Sequence, residues 1–175
     1  MRIDDELFGL AVALGRAAMA KRVMIATAES CTGGLLAGAI TAVAGSSDWF
    51  ERGFVTYSNA SKIEQLTVPM QLIERFGAVS EEVARAMVEG ALRASAAQWA
   101  IAVTGIAGPS GGTAEKPVGT VYFAWAGPGG TASERRLIRG DRASIRRDSV
   151  GVALQGLVDR LTYAKRTVSN DRSMP

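Results

Sequence analysis

The chain predicts an α/β fold built on a mixed, mostly parallel sheet with helices on both faces. Short apolar runs near residues 22–28, 50–57 and 99–104 alternate with helix-period stretches, the pattern of successive β-α units. Two later strand-like runs, Thr120 to Trp125 and Arg135 to Ile138, are joined by Gly127-Pro128-Gly129-Gly130. That arrangement reads as an antiparallel hairpin, so the sheet is mixed. The 175 residues, 47% apolar and 21% charged, suit one soluble domain with a real core.

In chain order, Ile3, Leu7, Leu10, Leu14 and Ala18 recur at helical spacing and make the first segment an amphipathic helix. Residues 22–28 read as a buried strand, and the small residues of 32–43 as a helix able to pack closely on a sheet. Gly45-Ser46-Ser47-Asp48 is a turn, and Phe50 to Tyr57 carries the β-branched and aromatic residues of a strand. Ser58-Asn59-Ala60-Ser61-Lys62 opens a short helix; Ser61 with Glu64 has capping-box spacing, and Asn59 is the alternative cap. Pro69 starts a helical stretch to Phe76, which Gly77 stops. Ser80 is a good N-cap, with Glu81 and Glu82 favouring the positive end of a helix reaching about residue 97. Trp99 to Thr104 is a further buried strand, followed by a long loop, Gly105 to Gly119, rich in Gly, Pro, Ser and Thr. Residues 141–166 form the last helix, so residues 1–166 read as a single domain and 167–175 as a frayed tail.

Composition removes several function classes. A single cysteine precludes an internal disulfide, and no Cys cluster is available for zinc. The acidic start, Asp4-Asp5-Glu6, lacks a secretory pattern, and no apolar stretch is long enough to span a bilayer. A cytoplasmic chain without a membrane partner is expected. The net charge of +3 is mild, and the late arginines (Arg135, Arg136, Arg139, Arg142, Arg146, Arg147) are not interleaved with aromatics. No nucleic-acid partner is therefore expected. Most of those arginines read as a solvated face, with one available to a phosphate.

The chemistry concentrates in Thr27-Ala28-Glu29-Ser30-Cys31-Thr32-Gly33-Gly34, where a strand turns into a helix. Ser30 and Cys31 are both potential nucleophiles, and Gly33 and Gly34 let a ligand approach the backbone. Ser30 reads equally as an N-cap, and Cys31 as a small packed side chain. Glu29 either binds a ligand hydroxyl or caps a helix. With no histidine anywhere in the chain, a Ser-His-Asp triad is unavailable. Lysine is the substitute base, and Lys62 is the candidate. Placement at a positive helix end and burial would both lower its pKa, whereas a plain surface lysine is the bland reading. Tyr57 would relay or orient the proton, or simply keep its hydroxyl in water. Gly105-Ile106-Ala107-Gly108-Pro109-Ser110-Gly111-Gly112-Thr113 is either a ligand cradle or a surface loop, and it lacks the Gly-Lys-Ser/Thr of a Walker A loop.

Together the glutamate-serine-cysteine block, Val55-Thr56-Tyr57-Ser58-Asn59-Ala60-Ser61-Lys62 and Val103-Thr104-Gly105-Ile106-Ala107-Gly108-Pro109 resemble the signature blocks of the CinA C-terminal domain family. Lys116-Pro117-Val118-Gly119-Thr120-Val121, Gly77-Ala78-Val79-Ser80 and Gly140-Asp141-Arg142 extend the resemblance over nearly the whole chain. It implies a three-layer α/β/α sandwich and the stand-alone, PncC-type form, without the molybdopterin-related N-terminal domain of larger CinA proteins. The implied activity is deamidation of nicotinamide mononucleotide to nicotinic acid mononucleotide and ammonia, a step of pyridine nucleotide salvage. It needs no metal and no organic cofactor.

The resemblance assigns Ser30 as nucleophile and Lys62 as base, with Tyr57 and Thr104 as polar helpers. Glu29, Thr32, Gly33, Gly34, Asn59, Gly105, Gly108, Gly111, Gly112 and Arg142 are the expected substrate-binding positions. Backbone amides near Gly33 and Gly34 are expected to stabilise the oxyanion. A small-molecule nucleotide partner and a homo-oligomer, such as a dimer, are expected. The alternative is a non-catalytic nucleotide-binding accessory protein of competence or the DNA-damage response.

Overall fold

A computed structural model describes residues 3–163. Asp4 accepts the Leu7 amide and opens helix α1 (Asp5–Lys21). Arg22, in the left-handed region at φ 54°, ends it. The turn there pushes strand β1 to Ile25–Glu29, three residues later than the sequence suggests. Helix α2 (Leu35–Thr41) is likewise shorter than expected. Residues 30–34 form turns instead, with Gly33 and Gly34 at positive φ of 59° and 92°. A short 3₁₀ turn (Ser46–Asp48) leads into strand β2 (Phe50–Val55).

Helices α3 (Asn59–Leu66), α4 (Met70–Phe76) and α5 (Glu81–Arg93) follow. Ser58, rather than Ser61 or Asn59, caps α3: its hydroxyl accepts the Ser61 amide while Ser61 Oγ accepts the Ser58 amide. Pro69 and Gly77 bound α4, and Ser80 caps α5 as the sequence suggests. The α5 helix stops at Arg93 rather than near residue 97. Strands β3 (Trp99–Gly105), β4 (Thr120–Gly127) and β5 (Gly130–Leu137) come next. Gly127 pairs with Gly130, so the antiparallel hairpin closes on Pro128-Gly129, and β5 begins earlier than expected. The last helix, α6, covers Arg142–Tyr163. The expected tail, 167–175, lies outside the described residues.

The five strands form one sheet in the order β2-β1-β3-β4-β5. Strand β1 pairs in parallel with β2 and β3, and β4 is antiparallel to both β3 and β5. Four strands thus run one way and β4 the other. Alternate side chains face opposite layers. Ile25, Ile101, Val103, Phe123 and Trp125 face α1, α2 and α6. Ala26, Ala28, Ala100, Ala102, Ala124 and Ala126 face α3, α4 and α5. This is the three-layer α/β/α sandwich. The alanine face lets α5 lie close to the sheet.

One glycine carries that closeness further. A Cβ on Gly90 of α5 would stand 2.1 Å from the Leu66 carbonyl oxygen, at the end of α3. Glycine in a helix interior costs about 1 kcal/mol relative to alanine. Here it admits the α3 backbone against α5, and α3 carries Lys62. The chain leaves β1 toward β2 on one side and returns from β2 to β3 on the other, so the sheet has its switch point at β1 and β3. Ligand sites of open α/β sheets lie beyond the carboxyl ends of strands at such a point. Among the described residues, no helix is long and apolar enough to cross a membrane.

Candidate active site

Ser30 is the first residue past β1. Its amide still bonds the Val103 carbonyl at 2.9 Å, so the ladder to β3 holds its backbone rigid. Its side chain is 9% exposed and meets Lys62: Nζ lies 3.0 Å from Ser30 Oγ. Lys62 is 1% exposed and also donates to the Thr56 carbonyl at 2.7 Å, just beyond β2. Lys62 is therefore not a surface lysine. It stands in the second turn of α3, since Ser58 is the cap, so proximity to the helix end is not what perturbs it. Burial without a carboxylate partner among the described residues lowers its pKa to about 8.

Cys31 is buried, and burial pushes its thiol up to about 11, so it stays protonated at neutral pH. Ser30 does not cap α2. Glu29 does so: its fully buried carboxylate accepts the amides of Gly34 (3.0 Å), Leu36 (3.0 Å) and Ala37 (2.9 Å). Of the two readings of Glu29, the hydrogen bonds support the helix cap. The positive end of α2 is filled by the chain's own carboxylate and is closed to a substrate anion.

The amides of Gly33 and Gly34 are themselves engaged. The Gly33 amide bonds the Ser30 carbonyl at 3.1 Å, and the Gly34 amide bonds Glu29. Among the described residues, the amides beside Ser30 that bond no acceptor belong to Cys31 and Thr32. Thr32 is fully buried and its hydroxyl has no partner among the described residues.

Residues 8–161 match the CinA C-terminal domain. The chain belongs to that family. It is 53% identical over 154 residues to a nicotinamide-nucleotide amidohydrolase PncC of Pseudomonas putida, covering 88% of this chain and 96% of that one. Against the PncC of Escherichia coli K12 the identity is 50%, over 88% and 94% of the two chains. A solved competence/damage-inducible protein from Agrobacterium tumefaciens superposes with a TM-score of 0.88 at 43% identity, over 93% of this chain and 99% of that one.

The remaining candidates of this CinA domain divide into those that reach the cleft and those that brace it. Thr104 is fully buried, and its hydroxyl donates to the Ala78 carbonyl at 2.8 Å. It ties β3 to the α4–α5 connector and bonds neither Ser30 nor Lys62. Tyr57 is 60% exposed and bonds neither of them. Its hydroxyl instead accepts Arg142 Nη2 at 3.0 Å, while Arg142 Nη1 donates to the Gly108 carbonyl at 2.8 Å. Arg142, at the start of α6, thereby bridges the β2–α3 and β3–β4 loops. Gly111 and Asn59 are exposed, the latter in the first turn of α3. Gly105 and Gly112 sit where a Cβ would strike Val121 Cγ2 (2.8 Å) and the Val118 amide nitrogen (2.7 Å), so packing of the loop accounts for them.

Sequence reasoning missed two braces. Arg146 of α6 donates Nε to the Cys31 carbonyl (3.1 Å) and Nη2 to the Thr32 carbonyl (2.8 Å). Lys116 donates to the carbonyls of Phe76 (2.8 Å) and Val79 (2.7 Å), fastening the 105–119 loop to the α4–α5 connector. The signal for Arg146 was present. Helix α6 has no acid in its first turn and opens with Arg142, with Arg146 four residues on, against the helix dipole. Basic residues placed there need another reason to be there.

Proposed function

We propose that this chain hydrolyses the carboxamide of nicotinamide mononucleotide to the carboxylate, releasing ammonia through an acyl-enzyme on Ser30. The reading is supported by PncC relatives of about half identity over nearly their full length. The observation that carries the mechanism is the buried Lys62 Nζ 3.0 Å from Ser30 Oγ, with burial holding the amine near pKa 8. Ser30 Oγ attacks the carboxamide carbon as neutral Lys62 takes the hydroxyl proton. The carbonyl oxygen becomes an oxyanion and takes the Cys31 amide, a donor whose removal in comparable sites costs roughly 3 kcal/mol. The Lys62 ammonium returns its proton to the leaving nitrogen, and ammonia departs. Water then attacks the ester, again losing a proton to Lys62, and the acid leaves as Ser30 recovers its hydrogen.

The 5′-phosphate is assigned to the 105–119 loop with Arg142, since Glu29 occupies the α2 terminus. Ammonia release from nicotinamide mononucleotide, with the acid product identified by mass, tests the reading. Ser30→Ala is expected to abolish turnover with the fold retained by circular dichroism, and Cys31→Ala to keep most of it. The reverse pattern would make the enzyme a thiol amidase.

A further inference from the structure

The turn after Ser30 is held from outside by a residue 115 positions away in sequence. Arg146 reaches over from α6 and takes two consecutive carbonyls, Cys31 through Nε at 3.1 Å and Thr32 through Nη2 at 2.8 Å. Its guanidinium lies against the turn itself, since a Cβ on Gly33 would stand 3.4 Å from Nη2.

Each peptide is planar, so fixing a carbonyl on one side aims the N–H on the other. The Thr32 carbonyl shares its peptide with the Gly33 N–H, which is aimed back at the Ser30 carbonyl (3.1 Å). The Ser30 carbonyl shares its peptide with the Cys31 N–H, the amide that bonds no acceptor among the described residues. The grip of Arg146 is thus transmitted through two rigid peptides to the donor beside the nucleophile. An ammonium can also reach two carbonyls, as Lys116 does, but its donors rotate and fix no angle between them. The planar fork of arginine holds both at a set angle.

We propose that Arg146 is a positioning residue for the amidase chemistry, locking the peptides behind Ser30 so that the Cys31 amide is aimed at the oxyanion. This inference rests on the amidase reading above. Arg146 touches no reacting atom. Its loss is expected to act on the transition state and leave ground-state binding alone, because the oxyanion exists only in the former.

The experiment is steady-state kinetics on nicotinamide mononucleotide for wild type, Arg146→Lys and Arg146→Met, with melting temperatures and a pH profile for each. Both variants are expected to lose about tenfold or more in kcat with KM within about twofold, because a donor displaced from its line forfeits part of its effect. The acid limb set by Lys62 is expected to stay where it is in wild type, which separates a displaced donor from a disturbed base. Should Arg146→Met fail to fold, Arg146→Lys decides alone. Retained kcat in Arg146→Lys, with loss only in Arg146→Met, overturns the proposal, because charge and not the fork would then be at work. A raised KM with normal kcat also overturns it, making Arg146 a substrate anchor. An active wild type with kcat kept in both variants overturns this inference alone. A wild type silent on the substrate overturns the amidase reading and this inference with it.

Discussion

Replacing Lys62 by methionine separates stability from activity in a way the structure makes quantitative. Burial lowers the Lys62 pKa from 10.5 to about 8. At about 1.36 kcal/mol per pKa unit, a charged Lys62 burdens the fold by roughly 3 kcal/mol. The folded pKa lies below the unfolded one, so between about pH 8 and 10.5 the unfolded chain holds more protons. Stability therefore rises with pH across that window, and the full burden is present below it. Methionine keeps a flexible apolar chain in the slot and carries no charge. It also leaves the Thr56 carbonyl without its donor, which offsets about 1 kcal/mol. Lys62→Met is thus expected to be more stable than wild type at pH 7 by about 2 kcal/mol, or roughly 4–8 °C in melting temperature for a chain of this size. The gap should close as pH approaches 10.5.

Turnover should behave oppositely. Lys62→Met, and Lys62→Arg whose guanidinium cannot deprotonate, are expected to fall to background. In wild type about one-tenth of Lys62 is neutral at pH 7 and about nine-tenths at pH 9, so kcat/KM should rise about tenfold between them. The second ionisation of a substrate phosphate, near pH 6, lies below this window. The assays are thermal melts and ammonia release across pH 7–10. A flat kcat/KM from pH 7 to 9, or a methionine variant whose stability difference does not change with pH, would refute the neutral-amine reasoning.

Glu29→Gln should lower the melting temperature by roughly 3–12 °C, because a carboxamide cannot accept all three amides and each charge-assisted bond carries about 1.5–3 kcal/mol; a thermal melt checks it. Gly90→Ala forces a Cβ onto the Leu66 carbonyl, and overpacking of this kind costs about 1–3 kcal/mol. Because the displaced helix carries Lys62, urea unfolding paired with the ammonia assay should show kcat falling by more than the folded fraction. EDTA should leave turnover unchanged, since the sequence has no histidine and the described residues include no group of three His, Cys, Asp or Glu able to hold a metal. Activity lost to EDTA and restored by a divalent ion would overturn the Ser30–Lys62 mechanism.

The Ser30–Lys62 pair was legible because local features mark both residues. Ser30 follows an apolar strand and precedes glycines, and with no histidine in the chain a lysine had to be considered as the base. The neighbouring hydroxyls and carboxylate were not legible in the same way. Glu29, Tyr57 and Thr104 each stand at a strand end, where binding, bracing and catalysis look alike in sequence. Glu29 turned inward because the turn through Gly33 and Gly34 brings three amides of α2 back over it. Thr104 found the Ala78 carbonyl, and Tyr57 the Arg142 guanidinium. Lys62 owes its lowered pKa to tertiary burial and not to the helix end that its spacing suggested.

By itself the sequence determined the α/β alternation, the closing hairpin, the cap at Ser80 and the strand-to-helix turn at Ser30, because each depends on residues within a few positions of one another. Only the tertiary structure decided what stands opposite what. Ser30 and Lys62 meet because β1 and β2 pair in parallel and Gly90 admits α3 against α5. Arg146 meets Cys31 because α6 returns across the face of the sheet that α2 shares. Hydrogen bonds reach about 3 Å, so partners this far apart in sequence are chosen by packing, and no local periodicity encodes them.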